Sequence, residues 1–272
     1  MTTFSLSVPA LFAAASLALA APVAAQNFDD IVAVQVLPGW TTRDGAQIAG
    51  LEFTLAPGWH TYWRSPGEMG IPPMFGFSGS SNLADVAITW PRPDVYVQDG
   101  YRSIVYHDRV VLPMELRPQN TNAGIELQGQ AEIGVCADIC VPVTIAFRAD
   151  LPAGASNRNP AIVAALLDRP QKAARAEVGA VACDIAPVEG GISITAAIDM
   201  PSVGSREFAV FEHPDPTVWV DNGVTARKGG RLTAQATFYP APGQALLVDR
   251  SALTITVLAE NAAVEILGCP GG

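Results

Sequence analysis

The chain has 272 residues and carries 16 Lys and Arg against 26 Asp and Glu, a formal net charge of −10. That balance excludes the usual nucleic-acid binder, which needs a basic face. With 24 Gly and 22 Pro the chain is rich in turn formers, which points to many short strands. A hydrophobic content of 49% is ample for a packed core and excludes wholesale disorder.

Residues 1–25 contain no charged side chain, and Val8 to Ala25 is rich in Ala, Leu and Val. Val23-Ala24-Ala25 places small residues before Gln26, the pattern of a signal-peptide cleavage site. The sequence therefore predicts a signal peptide over 1–25, cleaved near Ala25, the alternative being an uncleaved anchor. No later run reaches the ~18 apolar residues of a membrane span. Export would put the chain in an oxidising compartment, where cysteine pairs persist as disulfides.

Strand-like segments then follow one another. Ile31–Leu37 ends at Pro38-Gly39, and Ile48–Leu55 alternates Leu51, Phe53 and Leu55 with Glu52 and Thr54. Trp59–Trp63, Val86–Trp90, Ser103–Tyr106 and Val110–Leu116 continue the series. Ile125–Cys136 and Val141–Leu151 form a predicted hairpin around residues 137–139. Residues 152–177 read as a linker with a short helix over Ala161–Asp168, capped by Asn159 with Pro160 in its first turn. A second strand series begins near Val178: Gly191–Ile198, Glu207–Glu212, Thr217–Val220, Leu232–Tyr239, Leu246–Val248, Leu253–Ala259 and Ala263–Leu267. The expectation is all-β: two antiparallel β-sandwich domains, 26–151 and 178–272, joined by a short helical linker.

The four cysteines divide by spacing. Cys136 and Cys140 bracket Ala137-Asp138-Ile139. Across a three-residue connection they would face each other within disulfide reach. So short a loop contributes little chain entropy, which suits a pair that opens and closes better than a staple. An inert hairpin disulfide is the competing reading. A metal site would need two further ligands, and His60, His107 and His213 are scattered in the sequence. Asp138 disfavours a thiolate, and the nearest flanking base is Arg148. Cys183 and Cys269 lie near the ends of the second strand series, and closing that long loop reads as a structural disulfide.

The segments DGYRSIVYHDRVVLPMELRP (99–118), GVCADICVPVTIAF (134–147) and GWHTYWRSPGEMGIPP (58–73) resemble the amino-terminal periplasmic domain of the thiol:disulfide interchange reductase DsbD. The likeness is closest to the branch with three residues between the cysteines. It covers residues 28–150 well and the second domain loosely. It implies an immunoglobulin-like sandwich that exchanges disulfides with thioredoxin-like periplasmic partners. By the resemblance, Cys140 forms the mixed disulfide, Cys136 resolves it, and a cap carrying an aromatic side chain shields the pair. Asp99-Gly100-Tyr101 is the matching place, with Tyr101 as candidate shield. The best-known members have wider cysteine spacing and continue into a membrane electron conductor and a thioredoxin-like domain. This chain shows neither, so its electrons are expected from a separate membrane donor.

Trp59, Tyr62 and Trp63 read as core and face aromatics, and Ser65–Pro73 as a rigid loop that could rim a partner site. Five methionines without a cluster argue against direct copper binding, though Met69, Met74, His60 and His107 raise the question. No cofactor motif appears. The sequence points to a periplasmic thiol–disulfide exchange module relaying electrons through Cys136 and Cys140. The alternative is a non-catalytic adaptor with two structural disulfides.

Overall fold

The computed structural model describes residues 30–270, so the expected signal peptide lies outside the described residues. The first sheet runs in the order β1 (Val32–Thr41), β2 (Gln47–Leu55), β8 (Arg109–Pro118), β5 (Leu83–Ile88). The sheet facing it runs β10 (Cys140–Leu151), β9 (Ile125–Cys136), β3 (His60–Gly67), β7 (Tyr101–His107), β6 (Asp94–Gln98), with β4 (Met74–Gly76) also paired to β9. The two inner faces meet through Leu51, Phe53, Trp63, Ile104, Met114, Leu127 and Ile133, the alternate positions that an antiparallel sandwich buries.

β9 shows why one end of this sheet differs from the rest. From Ile125 to Glu132 it alternates buried and exposed, then Ile133, Gly134, Val135 and Cys136 are all buried. β3 opens with four buried residues, His60 to Trp63, and β7 buries Ser103 to Tyr106 in succession. A sheet that stops alternating is covered on both faces. Here the outer face carries a satellite cluster of Tyr62, Val105 and Cys136, with Ile71 and Tyr96 packed against it.

The second sandwich pairs the sheet β11 (Gln171–Lys172), β18 (Ala263–Leu267), β17 (Thr254–Leu258), β14 (Phe208–Glu212) with the sheet β12 (Val181–Val188), β13 (Gly191–Asp199), β16 (Arg231–Tyr239), β15 (Trp219–Lys228). β11 runs parallel to β18, and the other pairings are antiparallel. Ile194, Phe211, Leu232, Phe238, Ile255 and Val257 fill its core. Cys183 is bonded to Cys269, with Cα atoms 5.6 Å apart.

The connecting helix α1 (Pro160–Leu167) is capped by Asn159, whose side chain accepts from the Ala161 N–H. It does more than connect. Ile162 is fully buried in a notch that two glycines leave open: a Cβ on Gly50 would lie 2.9 Å from the Ile162 side chain, and one on Gly39 3.2 Å from it. The outer face of β14, β17 and β18 packs on the first sandwich, so Phe208, Val210, Leu258 and Ala263 join its core cluster. Arg64 of β3 spans the same boundary, hydrogen-bonded to both Glu212 and Glu265.

The all-β, two-sandwich expectation holds, and most strands shift by only one to four residues at their ends. Pro38-Gly39 does not end β1. β1 is an edge strand, where a proline's missing donor costs least, and the register breaks between Pro38 and Thr41. Leu246–Val248 is not a strand. It lies in an irregular run after Pro240 and Pro242. The short β4 and β6 went unread because neither carries a long apolar alternation.

Candidate functional site

The β9–β10 ladder is in register over its whole length, from Leu151 opposite Ile125 to Cys140 opposite Cys136. The three-residue turn is closed by the Ala137 N–H donating to the Ile139 carbonyl. It sets the Cys136 and Cys140 Cα atoms 4.1 Å apart, and the two are disulfide-bonded. The two sulfurs differ in access: Cys136 is 1% exposed, whereas Cys140 and Ile139 sit exposed at the turn.

Tyr62 reaches this disulfide from β3. Its hydroxyl lies 2.8 Å from Cys136 Sγ and 3.3 Å from Cys140 Sγ. Bonded sulfurs carry no hydrogen, so the phenol donates. Burial pushes the Tyr62 phenol above its usual range, which keeps it a donor at neutral pH. Its ring has room because of two glycines. A Cβ on Gly134 would stand 2.9 Å from the ring and 2.8 Å from Ile71, and one on Gly70 would stand 2.7 Å from the ring. The loop carrying Pro66, Gly70 and Ile71 therefore lies over Tyr62, with Met69 exposed on it.

His60 is two residues before Tyr62 and opposes Cys136 on one side and His107 on the other. Directly opposed residues of a sheet share a face. The His60 ring packs edge-on to Tyr62, with centroids 5.6 Å apart, and lies 5.7 Å from the His107 ring and 5.2 Å from Tyr96. Burial, and then the charge of His107, hold the His60 imidazole below its usual value. Two histidines that are far apart in sequence thus meet beside the disulfide. His213 stays in the second sandwich, bonded to the Leu247 carbonyl.

Tyr101 sits elsewhere. Asp99 and Gly100 both have positive φ, at 52° and 86°, and form the two-residue turn of the β6–β7 hairpin with Gln98 opposite Tyr101. Tyr101 is half exposed and lies six residues along β7 from His107, the residue level with Cys136. Among the described residues no hydrogen bond joins it to either sulfur. Arg102 beside it stacks over Phe208 of the second sandwich at 5.2 Å, and the Glu68 N–H donates to its carbonyl. Tyr62 and His60 were missed as site residues because their spacing reads as core alternation. Their partner Cys136 lies more than seventy positions away.

The fold and site define a two-sandwich protein with a half-accessible disulfide at the end of a β-hairpin. Residues 29–151 match the family described as thiol:disulfide interchange protein DsbD, N-terminal. The N-terminal periplasmic domain of ScsB from Proteus mirabilis is similar over 88% of this chain and 92% of its own, with 22% identity and a TM-score of 0.64. That likeness is one of fold and extends over both sandwiches. The reduced N-terminal domain of DsbD from Neisseria meningitidis matches 47% of this chain and 90% of its own, with 11% identity and a TM-score of 0.28. No curated protein matches the chain.

Proposed function

We propose that the chain is a periplasmic thiol–disulfide exchange module that relays electrons through Cys136 and Cys140 to or from thioredoxin-like partners. The observation that carries this is the asymmetry of the pair: an exposed Cys140 bonded to a Cys136 that is 1% exposed. A partner thiolate attacks the sulfur it can reach. A new bond forms to Cys140 Sγ, the Cys136–Cys140 bond breaks, and the electron pair leaves on Cys136. Cys136 is then the resolving thiol. The Tyr62 phenol, already aimed at Cys136, strengthens its hydrogen bond as that sulfur becomes an anion, so it favours the transition state over the ground state.

In this reading the shielding aromatic is Tyr62, and the Asp99–Tyr101 hairpin tip is part of the surface a partner meets. Cys183 and Cys269, 1% and 0% exposed, serve as a staple for the domain over 178–272. The redox domain spans 26–151, and the segment 152–177 that follows carries α1 and then β11, the edge strand of the second sandwich. Export rests on the uncharged 1–25 segment and on the likeness to a domain described as periplasmic. Among the described residues no helix is long and apolar enough to cross a membrane.

The test is alkylation after mild reduction of the full chain. Thioredoxin-level reductant should label Cys136 and Cys140 and leave Cys183 and Cys269 paired. A Cys136→Ala variant should trap a partner on Cys140. If all four cysteines resist equally and nothing is trapped, the chain is an adaptor with two structural disulfides.

A further inference from the structure

The exchange step leaves one buried titratable group without a task. His60 is 5% exposed and stands directly opposite Cys136 across the β3–β9 ladder, on the face that holds both sulfurs and Tyr62. When the disulfide opens, Cys136 must carry a negative charge at a position that is itself 1% exposed. A buried thiolate without a counter-charge is costly. The Tyr62 phenol supplies a hydrogen bond but no charge.

We propose that His60 is the charge partner of Cys136, an imidazolium that holds the departing thiolate and returns a proton to it. The proposal deepens the exchange reading and rests on it. The thiolate of a reducing dithiol bonds to Cys140 Sγ, the Cys136–Cys140 bond breaks, and its electron pair stays on Cys136. The proton on His60 pairs with that anion or moves to it. The second thiol of the dithiol then displaces Cys140, so the dithiol is oxidised and the cysteine pair reduced.

The surroundings of His60 decide when it is charged. Its own strand contributes Tyr62, β7 contributes His107, β6 contributes Tyr96, and β9 and β10 contribute the cysteines. Among the acids, Asp94 lies on β6 two residues from Tyr96 and 3.7 Å from Arg92, and Asp138 lies in the turn between the cysteines. Burial and the neighbouring His107 keep His60 neutral near neutral pH, so its charge arrives as the medium turns acidic. His107 is only half-buried and gives that proton a way in from solvent.

The oxidised full chain is reduced with dithiothreitol between about pH 5 and 8, where an imidazole titrates. Rates are divided by the concentration of dithiothreitol thiolate. For the wild type the corrected rate should rise several-fold as pH falls through the His60 ionisation, because a leaving thiol of lower pKa departs faster. His60→Gln should flatten the profile. His107→Gln removes the like charge and should move the inflection to higher pH, a shift that a merely structural role for either ring would not produce. A His60→Gln profile that keeps the wild-type inflection overturns the proposal. If that variant does not fold, an unmoved inflection in His107→Gln does so instead. A wild type that no dithiothreitol concentration reduces at Cys136–Cys140 overturns the exchange reading itself, and this proposal with it.

Discussion

The phenol of Tyr62 donates to Cys136 Sγ at 2.8 Å, across a sheet whose connecting chain is 74 residues long. One hydrogen bond here contributes about 0.5–1.5 kcal/mol, and more once its acceptor is charged. Tyr62→Phe keeps the ring that fills the satellite cluster and removes only the donor. Reduction of Cys136–Cys140 by a small dithiol should slow by about two- to tenfold, with the thermal midpoint little changed. A stopped-flow comparison of the two proteins checks this. An unchanged rate would remove Tyr62 from the exchange step.

Gly134 is required by that same phenol. A Cβ there would press on the Tyr62 ring at 2.9 Å and on Ile71 at 2.8 Å. Gly134→Ala should destabilise the chain by about 1–3 kcal/mol through overpacking and should also slow reduction, because Tyr62 is displaced. Combined with Tyr62→Phe, the effects on rate should be less than additive. Denaturant titration and exchange kinetics on the four proteins of the cycle separate stability from rate.

Arg64 joins the redox sheet to the second sandwich. Its guanidinium lies over Trp63 at 4.4 Å and bridges Glu212 and Glu265 at 2.7 and 2.8 Å. Arg64→Ala leaves two carboxylates facing each other at an apolar boundary. The cost should be about 2–3 kcal/mol. This is below the ~3–5 of a fully buried pair, because Arg64 and Glu265 keep 25% and 34% of their side chains exposed. Calorimetry should show a lowered midpoint, with the two sandwiches melting further apart in temperature than in the wild type.

Acid should act on the second sandwich through Glu207. Burial by itself would raise this carboxyl, but hydrogen bonds from Arg227 and the Val203 N–H outweigh it and hold Glu207 below its usual value of 4.5. A carboxyl depressed on folding adds stability that is present above its unfolded value and is lost as pH falls through the folded one. Arg227→Gln should therefore cost stability at pH 7 and much less near pH 3. Urea titrations at the two pH values would show it, and equal losses at both would contradict it.

The two disulfides should differ in what their loss costs. Cys183 and Cys269 are 86 positions apart, and closing such a loop contributes on the order of 4–5 kcal/mol in the chain-entropy model. Cys136 and Cys140 are 4 apart. The Cys183→Ala, Cys269→Ala double variant should lose several kcal/mol in denaturant titration. The Cys136→Ala, Cys140→Ala double variant should lose markedly less while abolishing exchange.

What the sequence by itself determined is local. Alternation of Leu51, Phe53 and Leu55 with polar neighbours marks a half-buried strand. The hairpin between Ile125 and Leu151 follows from two β-rich runs and a three-residue break, and Asn159-Pro160 marks where the helix begins. The spacing of the cysteines separates a short-range pair from a long-range one without any structure. These features depend on neighbours within a turn or a strand, so the chain order displays them.

Only the tertiary structure decided what surrounds the sulfurs. His60 and Tyr62 alternate like any strand residues, and nothing near them in the chain says that the outer face of β3 is covered. Register settled that, by setting His60 level with both Cys136 and His107 and by placing Gly134 and Gly70 against the Tyr62 ring. The same register put Tyr101, which the family resemblance placed over the cysteines, at the tip of a hairpin six residues along. The second sandwich appeared in the sequence as an appended series of strands. Folding turned the outer face of β14 onto the first core and brought Glu212 and Glu265 to Arg64. Cross-strand partners are chosen by how whole sheets pack, and the energy that fixes them is spread over residues far apart in the chain, so no local pattern records the choice.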